Sequence, residues 1–298
     1  MTWLNWPAEL ANELDHAYPH YRHNESLCLD LHGDPTQARL VVFSDGNHHM
    51  ALAETLRAFS RANPNVGEIF YTTTPPRIVT EMFRAGGLEI GNFRLSVRPH
   101  VLISPPAVLE PLVSEGFLQD SRPFMNSRGM VLLVHRDNPK SISGIKDLLR
   151  PDVRLFLSNP ATAKISYQIY TDCLRRLAMQ HGVTLDFLAH PPGLPDPAKL
   201  VYGESIHHRE APQAIMDGRA DTALMFYHLG LRYQRIFPEH FDFIWPAGSL
   251  GDQDCDISYA NCGLVDDGGE WGAALLDFLM SDAVTKIYEY HGLARANV

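Results

Sequence analysis

The 298-residue sequence predicts an α/β protein built around parallel strands. Two observations carry this. Short apolar runs, each ended by a polar turn, alternate with stretches whose apolar residues recur at helical spacing, and the switch is made three times in succession between residues 39 and 116. Short polar connections between strand and helix are the signature of a parallel sheet covered on both faces.

Residues 1–38 are polar and dotted with aromatics, with one short helix expected at 9–18 and loop after it. Arg39 to Phe43 reads as a buried strand. After Ser44-Asp45-Gly46-Asn47, the residues Leu52, Ala53, Leu56 and Phe59 fall on one helical face until Asn63-Pro64 stops them. Val66 to Tyr71 is a second strand, and Thr72 to Thr74 lead into prolines suited to a first helical turn. Ile78, Val79, Met82 and Phe83 then form a helical stripe closed by Gly86-Gly87. His100 to Ile103 is the third strand, followed by Ser104-Pro105-Pro106 and a helix ending near Gly116. Beyond Asn126 the expected order is a strand at 130–134, a short helix at 145–149, a strand at 154–157, a long helix at 162–180 and a strand at 184–188. A helix within 204–217, strands at 222–226, 241–245 and 256–265, and a helical stretch from Trp271 to His291 with a break near Ser281-Asp282 complete the chain.

A chain of this length buries a large core as one domain or as two lobes, and it needs no disulfide or structural metal to fold. The cysteines Cys28, Cys173, Cys255 and Cys262 are scattered without a CxxC pair, which points to buried thiols rather than a zinc ribbon or a redox couple. The formal charge of -10 and the absence of basic clusters argue against a nucleic-acid surface. No segment reads as a membrane span. The N-terminus lacks a basic stretch followed by an unbroken apolar one, so the chain as given is expected in the cytoplasm, and in the periplasm if a signal peptide has been removed.

In open parallel sheets, ligands bind beyond the carboxyl ends of the strands. Here those ends carry hydroxyl or amide residues repeatedly: Ser44, Thr72 to Thr74, Ser104, and Ser158-Asn159 ahead of Thr162. Each precedes a helix whose first N–H groups lack partners, an arrangement that can cradle an anion, although Ser, Thr and Asn also serve simply as helix caps. The histidines His48, His49, His207, His208 and His228 offer a second chemistry, a zinc or other divalent-metal site. Adjacent histidines on a helix point about 100° apart, so such a site would need ligands from more than one segment. Nucleophile elbow, zincin and phosphate-loop motifs are absent, and Asp252, Asp254 and Asp256 lack the glycine and glutamate of a calcium loop. Without a nucleophile–base pair or metal triad, binding is expected rather than catalysis.

Several short motifs carry a family resemblance. Asn126 to Val134, Asn138-Pro139, Ile145 to Leu148, Val153 to Leu155, Asn159-Pro160 and Tyr167 resemble the central stretch of periplasmic solute-binding proteins of the molybdate and tungstate type. Ala214-Ile215, Asp217 to Asp221 and Leu224 to Tyr227 look like that family's segment before a strand ending in tyrosine, and Val42-Phe43-Ser44 is similar to its first strand and ligand loop. The resemblance spans roughly residues 39–293. It implies a two-lobed type II periplasmic binding protein-like fold, lobe I at 39–124 and 245–298, lobe II at 125–244, residues 1–38 an N-terminal appendage, and a ligand cleft between the lobes. It further implies that hydroxyls and backbone N–H groups hold a tetrahedral oxyanion such as molybdate or tungstate, or a small carboxylate. Ser44, Thr73, Thr74, Ser104, Thr162, Ala163 and Tyr227 are the candidate ligand residues, with no cofactor and, if the chain is exported, an ABC transporter permease as partner. The alternatives are a divalent-metal-binding protein using the histidines, a cytoplasmic ligand sensor or interaction module, and an enzyme of uncharacterised type.

Overall fold

The computed structural model describes residue 4 and residues 20–22, 25–27, 30–74, 76–90, 93–161, 163–188, 198–204, 207–247 and 259–296. The chain divides into two compact units. One, the terminal unit, comprises Ala17–His20, Leu27–Ser127 and Ser258–Val298, and the other, the central unit, comprises Met1–His16, Tyr21–Ser26 and Arg128–Ile257. The helix expected at 9–18 lies outside the described residues, as do Thr162, Cys28, Cys255 and the 252–256 aspartates.

In chain order, a short hairpin of β1 (His20–Arg22) and β2 (Glu25–Leu27) comes first. The terminal unit then builds β3 (Leu31–His32), β4 (Ala38–Ser44), α1 (His49–Ala62), β5 (Glu68–Thr72), α2 (Pro76–Ala85), β6 (Leu88–Ile90), β7 (Phe93–Leu95), β8 (Val101–Ser104), α3 (Pro106–Ser114) and β9 (Arg122–Ser127). The central unit follows with β10 (Met130–His135), β11 (Leu155–Leu157), α4 (Lys164–Gln180), β12 (Leu200–Tyr202), α5 (His207–Met216), β13 (Thr222–Phe226), α6 (Tyr227–Ile236) and β14 (Phe241–Ile244). The chain ends in the terminal unit with β15 (Tyr259–Leu264), α7 (Gly269–Leu279), α8 (Asp282–Tyr290) and β16 (Leu293–Arg295).

The terminal sheet runs β16-β9-β15-β8-β4-β5-β3. Its centre, β8-β4-β5, is parallel, as the strand–turn–helix pattern predicts. Alternation along β4 sends Leu40 and Val42 into a core shared with Leu52, Leu56 and Phe59 of α1 and with Leu275, Leu279 and Tyr288 of α7 and α8. Val41 and Phe43 go to the opposite face, against Ile78, Val79, Met82 and Phe83 of α2 and Leu109 and Leu112 of α3. Antiparallel strands flank this parallel centre: β15 runs antiparallel to β8 and β9, β16 to β9, and β3 to β5. Leu31-His32, from the segment read as an appendage, thus supplies an edge strand of this sheet. Gly263 in β15 lets the backbone at Asp120 pass close by, because a Cβ there would run into the Asp120 carbonyl oxygen.

The central sheet runs β12-β11-β13-β10-β14, with β11 parallel to β12 and β13, and β10 antiparallel to β13 and β14. The strand expected at 184–188 is instead a 3-10 turn at Asp186–Leu188, closed by Leu188 N–H donating to the Leu185 carbonyl at 2.9 Å. The alternating burial of Leu185 and Phe187 imitates a strand's period of two, and the backbone hydrogen bond is what sets the 3-10 turn apart. The edge place beside β11 goes to β12, which the sequence reading did not include.

Candidate functional site

The three central strands of the terminal sheet end together. Val42 pairs with Tyr71 and Val101, Phe43 with Thr72 and Leu102, and Ser44 with Ile103, so the chain leaves β4, β5 and β8 within about one residue of the same level. Ser44, Thr73, Thr74 and Ser104 therefore gather at one edge of one sheet, and all four are buried, as is Thr72.

Their hydrogen bonds differ from the donor-only set expected. Ser44 lies on the α1 and α8 side of β4, in line with Leu40 and Val42. Its hydroxyl oxygen is 2.9 Å from His48 Nε2 and 3.2 Å from the Asp45 carbonyl. The other ring nitrogen of His48, Nδ1, stands 2.9 Å from the Tyr288 hydroxyl. Thr73 donates its hydroxyl to Asp30 Oδ2 at 2.5 Å, and His32 Nε2 completes that group at 3.2 Å from Asp30 Oδ1. Thr74 Oγ1 accepts the Asp30 N–H at 3.2 Å, which leaves its own proton to give. Thr72 Oγ1 is buried with no hydrogen-bond partner among the described residues.

Asp45 is the residue that sequence reasoning passed over, although it follows Ser44 directly. Its Oδ1 accepts the Asn47 N–H at 3.2 Å, and burial pushes its carboxyl up to about 6. Asp30 and Tyr288 were beyond reach for a different reason, since they lie 43 and 240 residues from the side chains they bond.

In the central unit, Ser158 stands just past β11 with its buried Oγ unpartnered among the described residues. The backbone N–H of Ala163, expected to face a ligand, donates instead to the Asn159 carbonyl at 2.8 Å. Tyr227 is the first residue of α6, its ring packed on Trp245 and Phe243 with centroids 4.8 and 5.6 Å away. Thr162 lies outside the described residues.

The histidines are spread over both units, His48 and His49 in the terminal one and His207, His208 and His228 in the central one. His49 Nδ1 is 2.8 Å from the Gly46 carbonyl. His207 packs on Tyr170, and its Nε2 lies 3.4 Å from the Phe156 carbonyl. Burial pulls His207 down to about 4, and burial with the neighbouring Arg209 holds His208 well below the usual histidine range. His228 stacks on Phe226. Among the described residues, no group of three or more His, Cys, Asp or Glu is placed to hold a metal ion.

Two units, each a β-sheet covered by helices, have the α/β fold of the type II periplasmic binding class. Residues 40–294 match the family described as bacterial extracellular solute-binding protein, and the chain belongs to it. Solved structures with the same fold include the sulfate-binding protein SubI from Mycobacterium tuberculosis, at 15% identity and a TM-score of 0.60 over 87% of each chain. The periplasmic molybdate-binding protein of Azotobacter vinelandii has 14% identity and a TM-score of 0.57 over 87% of this chain and 100% of its own. Iron-bound HitA from Pseudomonas aeruginosa has 13% identity and a TM-score of 0.55 over 83% of this chain and 82% of its own. No curated protein matches the chain. The family is one of binding proteins rather than enzymes. The family is described as extracellular, which favours the periplasmic alternative of the expected location over the cytoplasmic one. Among the described residues no helix is long and apolar enough to cross a membrane.

Proposed function

We propose that this protein binds a small anion, an oxyanion or a small carboxylate, at the strand ends of the terminal sheet and delivers it to the permease of an ABC transporter outside the cytoplasm. The observation that supports this reading is the level ending of β4, β5 and β8 in Ser44, Thr72 to Thr74 and Ser104, all buried. Hydroxyls and free N–H groups hold an anion by spreading its charge over many hydrogen bonds, with no full cation required. The sulfate- and molybdate-binding proteins that share the fold are in keeping with such a ligand. HitA, named for bound iron, makes a metal ion the competing cargo.

Calorimetric titration with molybdate, tungstate, sulfate, phosphate and small carboxylates, beside iron(III) and zinc, decides between them. One of the anions is expected to bind, and Thr72→Val together with Thr74→Val, which remove hydroxyls that still have a proton to give, to weaken it about tenfold or more, the loss of one to two hydrogen bonds to a charged group. Binding of a metal ion alone, or an anion affinity that ignores both substitutions, would overturn the reading.

A further inference from the structure

The loop that follows β5 is held by a segment lying ahead of the family-matched part of the chain. The match begins at residue 40, and Asp30 and His32 come before it. β3 runs antiparallel to β5, with Leu31 opposite Thr72 and His32 opposite Tyr71. The His32 ring stacks on that of Tyr71, their centroids 4.3 Å apart. Gly33 then lets the chain pass close over β5, since at its φ of 84° a Cβ would run into the Ile69 carbonyl oxygen.

Asp30, 5% exposed, grips two consecutive residues of that loop through both backbone and side chain. Its carbonyl accepts the Thr73 N–H at 3.0 Å, and its N–H donates to Thr74 Oγ1 at 3.2 Å. Its Oδ2 accepts the Thr73 hydroxyl at 2.5 Å, and its Oδ1 lies 3.2 Å from His32 Nε2. The same histidine nitrogen is 3.4 Å from Thr73 Oγ1. Thr73 thus gives its only hydroxyl proton to Asp30 and has none left for a ligand. Its neighbours are in the opposite position. Thr72 Oγ1 is buried with no hydrogen-bond partner among the described residues, and Thr74, whose oxygen takes the Asp30 N–H, keeps its proton to donate. Holding the middle residue of the three fixes the loop on both sides of it, which lowers the ordering cost of presenting Thr72 and Thr74.

We infer that Asp30 is a positioning residue for the anion site: it withdraws Thr73 from the ligand and, by fixing Thr73, holds Thr72 and Thr74 as the donors that meet the anion. This rests on the anion-binding reading above and adds to it a residue from outside the matched region that does not itself touch the ligand.

The test is calorimetry at pH 7.5 with inorganic phosphate, sulfate and molybdate on the wild type, Asp30→Asn and Asp30→Ala, each with and without Thr73→Val. Both Asp30 substitutions remove the carboxylate, but the amide oxygen of asparagine still accepts the Thr73 proton and alanine cannot. The anion that binds the wild type should therefore bind Asp30→Asn at least about fivefold more tightly than Asp30→Ala, the worth of one hydrogen bond. Adding Thr73→Val should close that gap and cost nothing further in Asp30→Ala, the non-additivity of two residues that act as a unit. Equal affinities in Asp30→Asn and Asp30→Ala, or a loss on Thr73→Val that is the same in both, would overturn the proposal and leave the anion reading standing. If no anion binds the wild type, both fail. Should Asp30→Ala not fold, proton NMR of the wild type decides. The Thr73 hydroxyl proton is expected as a slowly exchanging resonance that survives addition of the anion, and its loss on addition would make Thr73 a direct donor and overturn the proposal.

Discussion

At the scale of single residues, Asp45 has a consequence that can be measured without a ligand. Its carboxyl titrates near 3.8 in an unfolded chain and at about 6 in the fold, so between those values the folded state binds the extra proton. Stability contributed by that proton is full below about pH 4 and is lost as pH rises through 6. Above pH 6 the buried charge weighs against the fold by roughly 3 kcal/mol at most, the energy of a shift of this size. Asp45→Asn keeps an acceptor for the Asn47 N–H and removes the charge. It is expected to raise the denaturation midpoint at pH 7.5 and to flatten the dependence of stability on pH between about 4 and 6. Urea unfolding across that range checks it, and a variant no more stable than the wild type at pH 7.5 would contradict the burial of this carboxylate. Ser44 and Thr73 were legible as strand-end hydroxyls because residue type and position suffice to find them. That each is already engaged was not, because His48 closes on Ser44 only once α1 forms and Asp30 reaches Thr73 only once β3 docks on β5.

At the scale of elements, the central unit is pinned by a lysine that no pattern announces. Lys199, 8% exposed, precedes β12 and donates from Nζ to the carbonyls of Leu148, Arg150 and Val153 at 2.6, 2.5 and 2.7 Å. It also lies 5.3 Å from the centre of the Phe187 ring. One ammonium thus satisfies three carbonyls of the 145–153 loop, where the chain turns into β11. Lys199→Met keeps most of the stem and strips the donors. It should destabilise the chain by about 2–4 kcal/mol, because three oxygens lose their shared partner. Chemical unfolding followed by tryptophan fluorescence measures this, and a loss below about 1 kcal/mol would show that water replaces the ammonium freely. The same scale explains the misread strand at 184–188. Its apolar residues are too few to distinguish a period of two from a period of three, and the missing edge was filled by Leu200–Tyr202, a run too short to stand out.

For the whole molecule, the prediction concerns coupling between ligand and fold. A ligand that binds only the folded chain stabilises it by about 2.7 kcal/mol at a hundredfold excess over its Kd. An anion that binds at that level is therefore expected to raise the melting temperature by a few degrees, and sodium chloride at the same ionic strength to leave it nearly unchanged. Equal shifts from both would point to a general salt effect instead of a site.

The amino-acid order by itself determined the α/β class, the three strand–turn–helix switches from Arg39 to Gly116, the hydroxyls at their ends and the helical C-terminus broken at Ser281, because each of these is written in local periodicity and turn chemistry. It also carried enough scattered motif to point to the binding-protein family that the match over residues 40–294 establishes. Only the tertiary structure decided that antiparallel strands flank the parallel centres, that Tyr288 backs His48 and that Asp30 takes the hydroxyl of Thr73. Those relations join residues far apart in the chain or depend on strand register, and register is set by which faces pack against which helices.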